Sequence, residues 1–447
     1  MQWTTMDHFT YRDNELYCEQ IPVSAIAREA GTPCYVYSTA TLCAHLERLQ
    51  SAFASLNPQI CFSLKSCANL SICRLLVEHG AGMDLVSGGE LERALEAGAD
   101  PAMCVMAGVG KTDDEIRAAL REGVGWINVE SEAELARLRE LALDEGVRPQ
   151  VALRINPDID AHTHRYTTTG TRETKFGVDF ERAVSIFERH RADDAIDLSG
   201  VHVHIGSPVL TVEPYLRTVE RVIGLIDAVA ERGVTITMLD LGGGFGADYE
   251  SGQSPAASDY AAALTPLLQS YVDAGLTLVL EPGRSIAANA GILIVRTVYT
   301  KVSGARTFVI VDGGMNVLLR PSHYEAFHFI WPTSVRERTH VPSMRCEHPS
   351  MDGLERVDVV GPICETGDFL ALDRSLPPIE RGDLLAVFAA GAYGMVMASR
   401  YNASRLPAEV LVDGEDACLV RQRETYDDLI EHERTVTPLA LVEDVAP

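Results

Sequence analysis

The chain has 447 residues, a length that suits two or three domains, and its 64 acidic and 38 basic residues give a formal charge of −26. This charge disfavours nucleic acid and anionic membrane surfaces as partners. The first residues lack the pattern of a signal peptide, and no apolar run is as long as a membrane span requires, so we expect a cytoplasmic protein. The ten cysteines occur singly, which predicts reduced core residues and no metal site among them.

Short apolar strands alternate with amphipathic helices from about residue 60 onwards. Between the strands, apolar residues recur every three or four positions, as in GELERALEAG and DDEIRAALREG. The strands are predicted at residues 60–65, 83–87, 103–108, 126–130, 150–156, 200–206, 238–242 and 277–282. Eight β/α units of this kind predict a parallel (β/α)8 barrel of the TIM type.

The pattern changes after residue 290 to strands without long helices, separated by Gly, Pro and Asp turns. These strands are predicted at 292–302, 306–314, 356–361, 383–388 and 408–414. They indicate a C-terminal all-β domain, a β-sandwich or β-barrel, to which a predicted N-terminal hairpin around Asp13-Asn14 is expected to pair. We therefore expect a barrel over residues 36–290 and an all-β domain formed by residues 1–35 and 291–447.

Polar and glycine residues follow four of the predicted barrel strands. Catalytic groups of such barrels lie at the carboxyl ends of the strands, and phosphate is commonly held after strands seven and eight. The candidate residues are Lys65 after the first strand, His204 and Ser207 after the sixth, Gly242, Gly243 and Gly244 after the seventh, and Glu281, Gly283 and Arg284 after the eighth. We expect all of them to converge on one mouth of the barrel.

The run LDLGGGFG offers backbone N–H groups that can approach an anion closely, and Arg284 can add charged donors to the same anion. A tight turn is the alternative interpretation of the glycines. The run also fits the G-x-G-x-x-A pattern of dinucleotide folds, but no helix is predicted after it. The segment AGVGKTDD resembles a phosphate-binding loop but has Val105 where that motif requires glycine, so Lys111 is expected to be a surface or loop-structural lysine.

Lys65 leaves an apolar strand, and such surroundings are expected to depress its pKa and to allow a Schiff base; a snorkelling surface lysine is the alternative. Glu281 offers the carboxylate that keeps a pyridine nitrogen protonated, so that the ring acts as an electron sink. A lysine, a phosphate cradle and a carboxylate together describe a site for pyridoxal phosphate (PLP).

Two histidines in VHVHIGS lie on one face of a predicted strand, because side chains alternate along a strand. In a metal-dependent hydrolase this pair would bind a metal with Asp240 and Glu281. In a PLP site His204 would lie on the cofactor ring and His202 would be a packed barrel histidine. The loop histidines His162 and His164 are expected to be structural.

Several long stretches carry a specific resemblance, including FSLKSCANLSICRLL, RINPDIDAHTH, HVHIGS, LDLGGGFG, EPGRSI, RPSHYEAFH, GPICETGD and GAYGMVMASRYNASRLPAEVLV. Through them the chain resembles fold-type III PLP-dependent decarboxylases over nearly its whole length, and among them the diaminopimelate decarboxylase family. The resemblance implies decarboxylation of meso-2,6-diaminopimelate to L-lysine and CO2 by a homodimer with PLP as cofactor and no metal.

The resemblance also implies roles for individual residues. Lys65 carries the Schiff base, His204 stacks on the ring, and Glu281 pairs with the pyridinium. Phosphate is bound by Ser207, Gly243, Gly244, Gly283 and Arg284, with Tyr393 near phosphate and substrate. The distal carboxylate of the substrate is held by Arg284, Arg320 and Tyr324, although an exposed turn is the alternative for the last two. Cys364 and Glu365 enter from the other subunit, where Cys364 returns the proton, with Lys65 as its competitor, and Glu365 recognises the distal ammonium group.

The chain departs from the family pattern in two places. Ser66-Cys67 precedes the Ala-Asn pair that commonly follows the Schiff-base lysine, which predicts different packing near the cofactor, and Pro208 follows HIGS where glutamine is common, which predicts a changed loop. Other functions also stay open: decarboxylation of ornithine or carboxynorspermidine, and a non-catalytic PLP-binding protein. Ornithine is disfavoured because it has no distal carboxylate for Arg320 and Tyr324 to bind.

Overall fold

The computed structural model describes residues 7–161, 163–164, 166–167, 169–170, 175–336 and 340–438. His162 therefore lies outside the described residues, as does part of the loop around it. None of the helices in these ranges combines the length and the apolarity that crossing a bilayer requires. All ten cysteines are free, and six of them are buried, as the sequence predicts.

The chain begins with a hairpin of β1 (Phe9–Arg12) and β2 (Glu15–Cys18). Asp13 and Asn14 connect the two strands with φ values of 48° and 66°, which the short polar side chains tolerate. This confirms the predicted hairpin. A short third strand, β3 (Ile21–Pro22), pairs with β2.

The hairpin packs against the C-terminal part of the chain, as predicted. The Leu16 N–H donates to the Thr333 carbonyl at 2.7 Å, and the Tyr11 hydroxyl donates to the Pro332 carbonyl at 2.6 Å. The chain then continues through α1 (Val23–Ala30), β4 (Cys34–Ser38) and α2 (Thr39–Ala52).

Within the described residues, eight parallel strands close a barrel, one for each predicted strand. Their bounds are β5 (Gln59–Ser63), β6 (Gly82–Leu85), β7 (Cys104–Met106), β8 (Trp126–Val129), β9 (Gln150–Arg154), β10 (Asp197–His202), β11 (Met238–Asp240) and β12 (Thr277–Leu280). Each strand pairs with the next, and β12 pairs with β5 to close the ring. The predicted (β/α)8 barrel is confirmed.

Helices follow the barrel strands and cover the outside of the barrel. They are α3 (Leu70–Glu78), α4 (Gly88–Glu96), α5 (Asp113–Glu122), α6 (Glu132–Glu145), α7 (Phe180–His190), α8 (Glu213–Ala230), α9 (Ala257–Asp273) and the short α10 (Arg284–Ala287). Local sequence sets their ends. In α5, Thr112 and Glu115 form a reciprocal capping box at the start, and Gly123 ends the helix in the left-handed conformation.

The rest of the chain is mainly β-structure. Its elements are β13 (Gly291–Ser303), β14 (Arg306–Val311), α11 (Arg320–Tyr324), β15 (Ile330–Pro332), β16 (Glu355–Val360), β17 (Phe369–Leu376), β18 (Leu384–Val387), β19 (Ala408–Asp413), β20 (Asp416–Arg421) and α12 (Tyr426–Ile430). The sheet runs in the order β17-β16-β14-β13-β4-β19-β20, and β18 pairs with both β13 and β15. All five predicted strands are present, whereas β4, β15, β17 and β20 were not predicted.

Candidate active site

Lys65 lies in a turn of 3-10 helix directly after β5, at the carboxyl end of the barrel. Its ammonium group donates to Asp84 Oδ2 at 2.6 Å, and the same oxygen accepts the Ser63 hydroxyl at 2.7 Å. Asp84 is fully buried at the end of β6. The amine therefore reaches inward to a buried carboxylate, and the interpretation of Lys65 as a snorkelling surface lysine is wrong.

The prediction that the pKa of Lys65 is depressed is also wrong. Burial lowers the pKa of the ammonium group, but the negative charges of Asp84 and Glu281 act in the opposite direction, and the net shift is upward. The sequence could not give this result, because Asp84 belongs to an apolar strand whose alignment with β5 is a tertiary feature. Lys65 must lose a proton before it can act as a nucleophile.

This ion pair predicts the pH dependence of cofactor uptake. Because the Lys65 pKa is raised, the fraction of free amine is small at neutral pH and increases as pH rises, so the rate of the Lys65–PLP reaction should rise with pH. Asp84→Asn removes the charge that raises the pKa, and we expect a rate at neutral pH at least about tenfold above that of the unchanged chain. Stopped-flow absorbance of PLP uptake measures both effects.

The matched control for this prediction is Asp114→Asn, which alters an exposed carboxylate at the start of α5. It should leave the rate and its pH dependence unchanged. A rate for Asp84→Asn at or below that of the unchanged chain at every pH would contradict the proposed effect of Asp84 on the amine.

Glu281 follows β12 and is 3% exposed. Its Oε2 lies 3.7 Å from His202 Nε2, and its Oε1 is buried without a hydrogen-bond partner in the described part of the chain. Burial raises the pKa of Glu281, but His202 and Lys65 oppose this effect, and the net shift is downward. Glu281 is therefore an anion with one oxygen available to a ligand.

His204 follows β10, and its Nδ1 accepts the Gly243 N–H at 3.2 Å. Burial and then the positive charges of Arg154 and Lys65 lower the pKa of His204 to about 3. The imidazole is therefore neutral at physiological pH. A neutral, partly exposed ring at the mouth can stack on an aromatic cofactor without opposing its protonation.

The glycines after β11 are required by close packing of the backbone. A Cβ at Gly243 would lie 2.3 Å from the Glu281 carbonyl oxygen, and Gly244 has a φ of 103° and would clash with the Gly206 carbonyl at 2.4 Å. These close-packed glycines form a cradle of backbone at the barrel mouth. Gly283 starts α10 nearby, where a Cβ would meet the Ser66 hydroxyl at 2.7 Å.

A cluster of two arginines around one tyrosine lies beside the cradle. Arg284 Nε donates to the Ser207 hydroxyl at 2.9 Å, and its Nη1 donates to the Tyr249 hydroxyl at 2.7 Å. The Arg320 guanidinium carbon lies 4.6 Å from the centroid of the Tyr249 ring, and Arg320 Nη1 donates to His328 Nε2 at 3.0 Å. Arg320 is only 6% exposed, so the interpretation as an exposed turn is wrong for this residue.

Tyr249 is the main site residue that the sequence did not predict. It belongs to the segment 247–258, whose composition indicates only a flexible loop. Burial raises the pKa of the Tyr249 hydroxyl, but Arg284 and Arg320 outweigh burial and the net shift is downward. In the sequence Tyr249 is only a tyrosine in the loop after strand seven. Tyrosines in loops are too common for this position to predict a site residue.

A cavity of about 380 Å³ unites most of these groups. Its lining includes His204, Ser207, Tyr249, Arg284, Arg320, Tyr324 and Tyr393. Lys65 lines a second cavity of about 690 Å³, and the Tyr393 N–H joins the two regions through a 2.7 Å hydrogen bond to the Ser66 carbonyl. Of the strand-end candidates, His204, Ser207 and Arg284 thus line one cavity together with Arg320 and Tyr324, and Lys65 lines the second.

Cys364 and Glu365 lie outside the two cavities. Both are exposed in the loop between β16 and β17, and Glu365 accepts a hydrogen bond from the Tyr401 hydroxyl. Neither residue lines the two cavities. Lys111 is buried and donates to the carbonyls of Gly108 and Asn128 at 2.8 Å, which makes it a loop-structural lysine.

The residues present fit PLP. Glu281 Oε1 is a buried, unpartnered anionic oxygen of the kind that a pyridinium N–H needs, the glycine cradle with Ser207 and Arg284 suits a phosphate, and Lys65 supplies the amine. His202, Asp240 and Glu281 also lie within 4.8 Å of one another, as a metal site would require. The geometry of the site is therefore compatible with PLP binding and with metal binding.

Comparison with known proteins distinguishes them. Residues 39–288 match the family described as pyridoxal-dependent decarboxylase, pyridoxal binding domain. The diaminopimelate decarboxylase of Pseudomonas aeruginosa is 48% identical over 95% of this chain and 98% of its own. Among solved structures, diaminopimelate decarboxylase from M. jannaschii in complex with L-lysine has a TM-score of 0.88 at 33% identity, covering 97% of this chain and 98% of its own.

A second solved structure, diaminopimelate decarboxylase from Helicobacter pylori complexed with L-lysine, has a TM-score of 0.85 at 36% identity and covers 92% of this chain and 99% of its own. The fold and the site define a fold-type III PLP-dependent decarboxylase, so PLP is the cofactor and the metal-hydrolase interpretation is wrong. Within that class, the chain belongs to the diaminopimelate decarboxylase family.

Replacing Tyr249 tests the arginine cluster directly. Tyr249→Phe keeps the ring beneath Arg320 but removes the hydroxyl that accepts from Arg284. Because a hydrogen bond to a charged group contributes about 1.5–3 kcal/mol, we expect KM for the substrate to rise at least about tenfold, with a small change in kcat. Steady-state kinetics at saturating PLP measures this. Tyr299→Phe, at an exposed tyrosine on β13, is the matched control, and an unchanged KM for Tyr249→Phe would contradict a substrate-binding role for the cluster.

Proposed function

We propose that the protein removes the carboxylate at the D-configured centre of meso-2,6-diaminopimelate and produces L-lysine and CO2, with PLP as cofactor. The observation that carries the choice of substrate is the pair Arg284 and Arg320, which flanks Tyr249 in the cavity that also contains His204. Two buried guanidinium groups need an anionic partner, and the distal carboxylate of the substrate supplies one. The names of the relatives support the same reaction.

The bound cofactor supplies an electron sink for the pair of electrons left when CO2 departs. Glu281 would accept a hydrogen bond from the ring nitrogen and favour its protonated form. His204 would stack on the ring. The phosphate would be held by Ser207, Gly243, Gly244, Gly283 and Arg284, with Tyr393 nearby.

Lys65 would hold the cofactor through its side-chain amine. Arg284, Arg320 and Tyr324 hold the distal carboxylate, so that the scissile carboxylate is oriented by the rest of the molecule. Buried donors recognise this end of the substrate strongly, because an analogue without the carboxylate leaves them unpaired.

We also propose that the protein is a homodimer whose two subunits share residues in each active site. Cys364 of one subunit returns the proton to the substrate carbon in the other subunit, and Glu365 binds the distal ammonium group. Their exposure in the single chain supports this arrangement, because residues that serve a partner must lie on the surface of their own subunit.

We further propose a division of the chain into a barrel of residues 36–290 and an all-β domain of residues 1–35 and 291–447. The pairing of β4 with β13 supports it, since this pairing joins the two ends of the barrel segment. We also propose a cytoplasmic location, as the sequence predicts.

The experiment that tests the proposal is incubation of the purified protein with PLP and, separately, with meso-diaminopimelate, carboxynorspermidine and ornithine, followed by measurement of each amine product. We expect L-lysine from the first substrate and no product from ornithine, which lacks a distal carboxylate. Product from another substrate alone would reassign the cavity, and bound PLP without any product would support a non-catalytic protein.

A further inference from the structure

Three buried ionisable groups lie beneath the site, on neighbouring strands of the barrel. His202 ends β10 and is aligned with Asp240 at the end of β11, while Glu281 follows β12. Their ligand atoms lie within 4.8 Å of one another, and the residues are 1%, 0% and 3% exposed. The proposed function uses only Glu281, so the other two require an explanation.

Asp240 is held firmly on both of its oxygens. Oδ1 accepts the Gly242 N–H at 2.8 Å, and Oδ2 accepts the Asn128 side-chain amide at 3.1 Å. Carboxylate oxygens of Asp240 and Glu281 lie within 4.8 Å of one another. Two ionised carboxylates repel at this separation in a buried site, whereas a proton on one of them removes the repulsion and allows it to donate to the other.

The surroundings decide which carboxyl group carries that proton. Asp240 faces the negative charges of Glu281 and Asp84, and burial followed by these charges raises its pKa. Glu281 faces His202 and the Lys65 ammonium group, which favour its ionised form. The proton therefore belongs to Asp240, and Glu281 is the anion.

His202 completes the support of Glu281. Both ring nitrogens of His202 are buried without a hydrogen-bond partner in the described part of the chain, and Nε2 is 3.7 Å from Glu281 Oε2. A small movement of the Glu281 side chain upon ligand binding would turn this approach into a hydrogen bond. The other oxygen, Oε1, would remain free.

We propose that Asp240 and His202 are positioning residues that fix the charge and the direction of Glu281. Protonated Asp240 donates to Glu281, and His202 supports Oε2, so that Oε1 is presented as an anionic acceptor for the N–H of the cofactor ring. This inference rests on the proposed function, because it assigns the ring nitrogen to Glu281. It adds two residues that touch neither substrate nor cofactor.

The first test uses PLP labelled with 15N in its ring and follows the nitrogen resonance of the bound cofactor by NMR. We expect a protonated ring nitrogen in the unchanged protein and in Asp240→Asn, since the neutral amide also donates a hydrogen bond. Asp240→Leu and His202→Phe remove the support and should shift the resonance towards the unprotonated form. Glu281→Gln, which lacks the charge, provides the reference for the unprotonated form.

The kinetic expectation separates positioning from folding. Loss of support for Glu281 should lower kcat at least about tenfold in Asp240→Leu and His202→Phe, with KM for the substrate nearly unchanged, because substrate contacts are not altered. A resonance that stays fully protonated in both variants would overturn the inference. Absence of PLP from the unchanged protein would instead overturn the proposed function.

The second test does not need a disruptive substitution or the cofactor. The infrared spectrum of the PLP-free protein should contain the carbonyl band of a protonated carboxyl group, and Asp240→Asn should remove that band. An identical carboxyl band in both proteins would show that Asp240 is not the proton carrier and would overturn the inference even if the leucine and phenylalanine variants did not fold.

Discussion

Lys65→Ala should abolish the borohydride-reducible bond between PLP and the protein and should lower kcat at least about 10³-fold. The chain contains four lysines, and the described contacts leave Lys65 as the candidate for this bond. Lys111 is buried in a loop and its amine is paired with Glu134 at 2.6 Å, Lys175 lies over the Phe176 ring, and Lys301 is exposed on β13. Mass spectrometry after borohydride reduction measures which lysine carries the cofactor.

Two further variants keep this result interpretable. Lys301→Ala removes an exposed amine and should retain both the bond and the turnover. Lys65→Ala leaves Asp84 buried without its partner, which destabilises a protein unless the carboxyl group becomes protonated. Lys65→Arg preserves a positive charge near Asp84 but cannot form the bond, so it should be inactive and nearly as stable to urea as the unchanged protein. A reducible PLP bond in Lys65→Arg would move the Schiff base to another lysine.

The barrel could be predicted because each of its strands is a short apolar run between amphipathic helices. The strands that were missed lack this signal. In β17, FLALDRSL, the charged residues Asp373 and Arg374 interrupt the apolar pattern, and the register shifts at bulges against β16. Asp373 also has a φ of 49°, which a regular strand does not contain. Pairing partners far away in the sequence stabilise this strand, and no local pattern records them.

The candidate site likewise contains residues that local sequence predicts and residues that depend on tertiary contacts. The rule that functional groups follow barrel strands led to Lys65, His204 and Glu281, because each one follows a predicted strand directly. Asp84 lies near the end of β6, but its role depends on its 2.6 Å contact with Lys65, which follows the neighbouring strand β5. Tyr249 depends on the path of a whole loop, which the hydrogen bond from the Ser251 N–H to the Arg345 carbonyl helps to fix.

The contacts of Ser66 and Cys67 show how the first departure from the family pattern is accommodated. Ser66 is buried, donates to the Ser63 carbonyl at 2.7 Å and accepts the Tyr393 N–H through its own carbonyl. Cys67 is buried with 3% exposure beside it. Local packing near the cofactor is therefore built from small side chains, while the position of Lys65 is preserved.

Mixing Lys65→Ala subunits with Cys364→Ala subunits should restore activity that neither variant has alone. If each site combines the barrel of one subunit with Cys364 of the other, a mixed dimer contains one site with both changes and one intact site. Random reassembly of equal amounts makes half of the dimers mixed, so we expect about a quarter of the activity of the unchanged protein. Activity measured after denaturant-induced exchange of subunits tests this.

The matched control mixes Lys65→Ala with Glu281→Gln, two changes on the same side of the proposed site. No mixed dimer then contains an intact site, and activity should stay at the level of the separate variants. Mass spectrometry of the intact dimers would verify that subunits have exchanged in both mixtures. Confirmed mixed dimers without restored activity in the Lys65–Cys364 pair would contradict a shared site. The proton would then have to return from a group on the same subunit, for which Lys65 is the candidate.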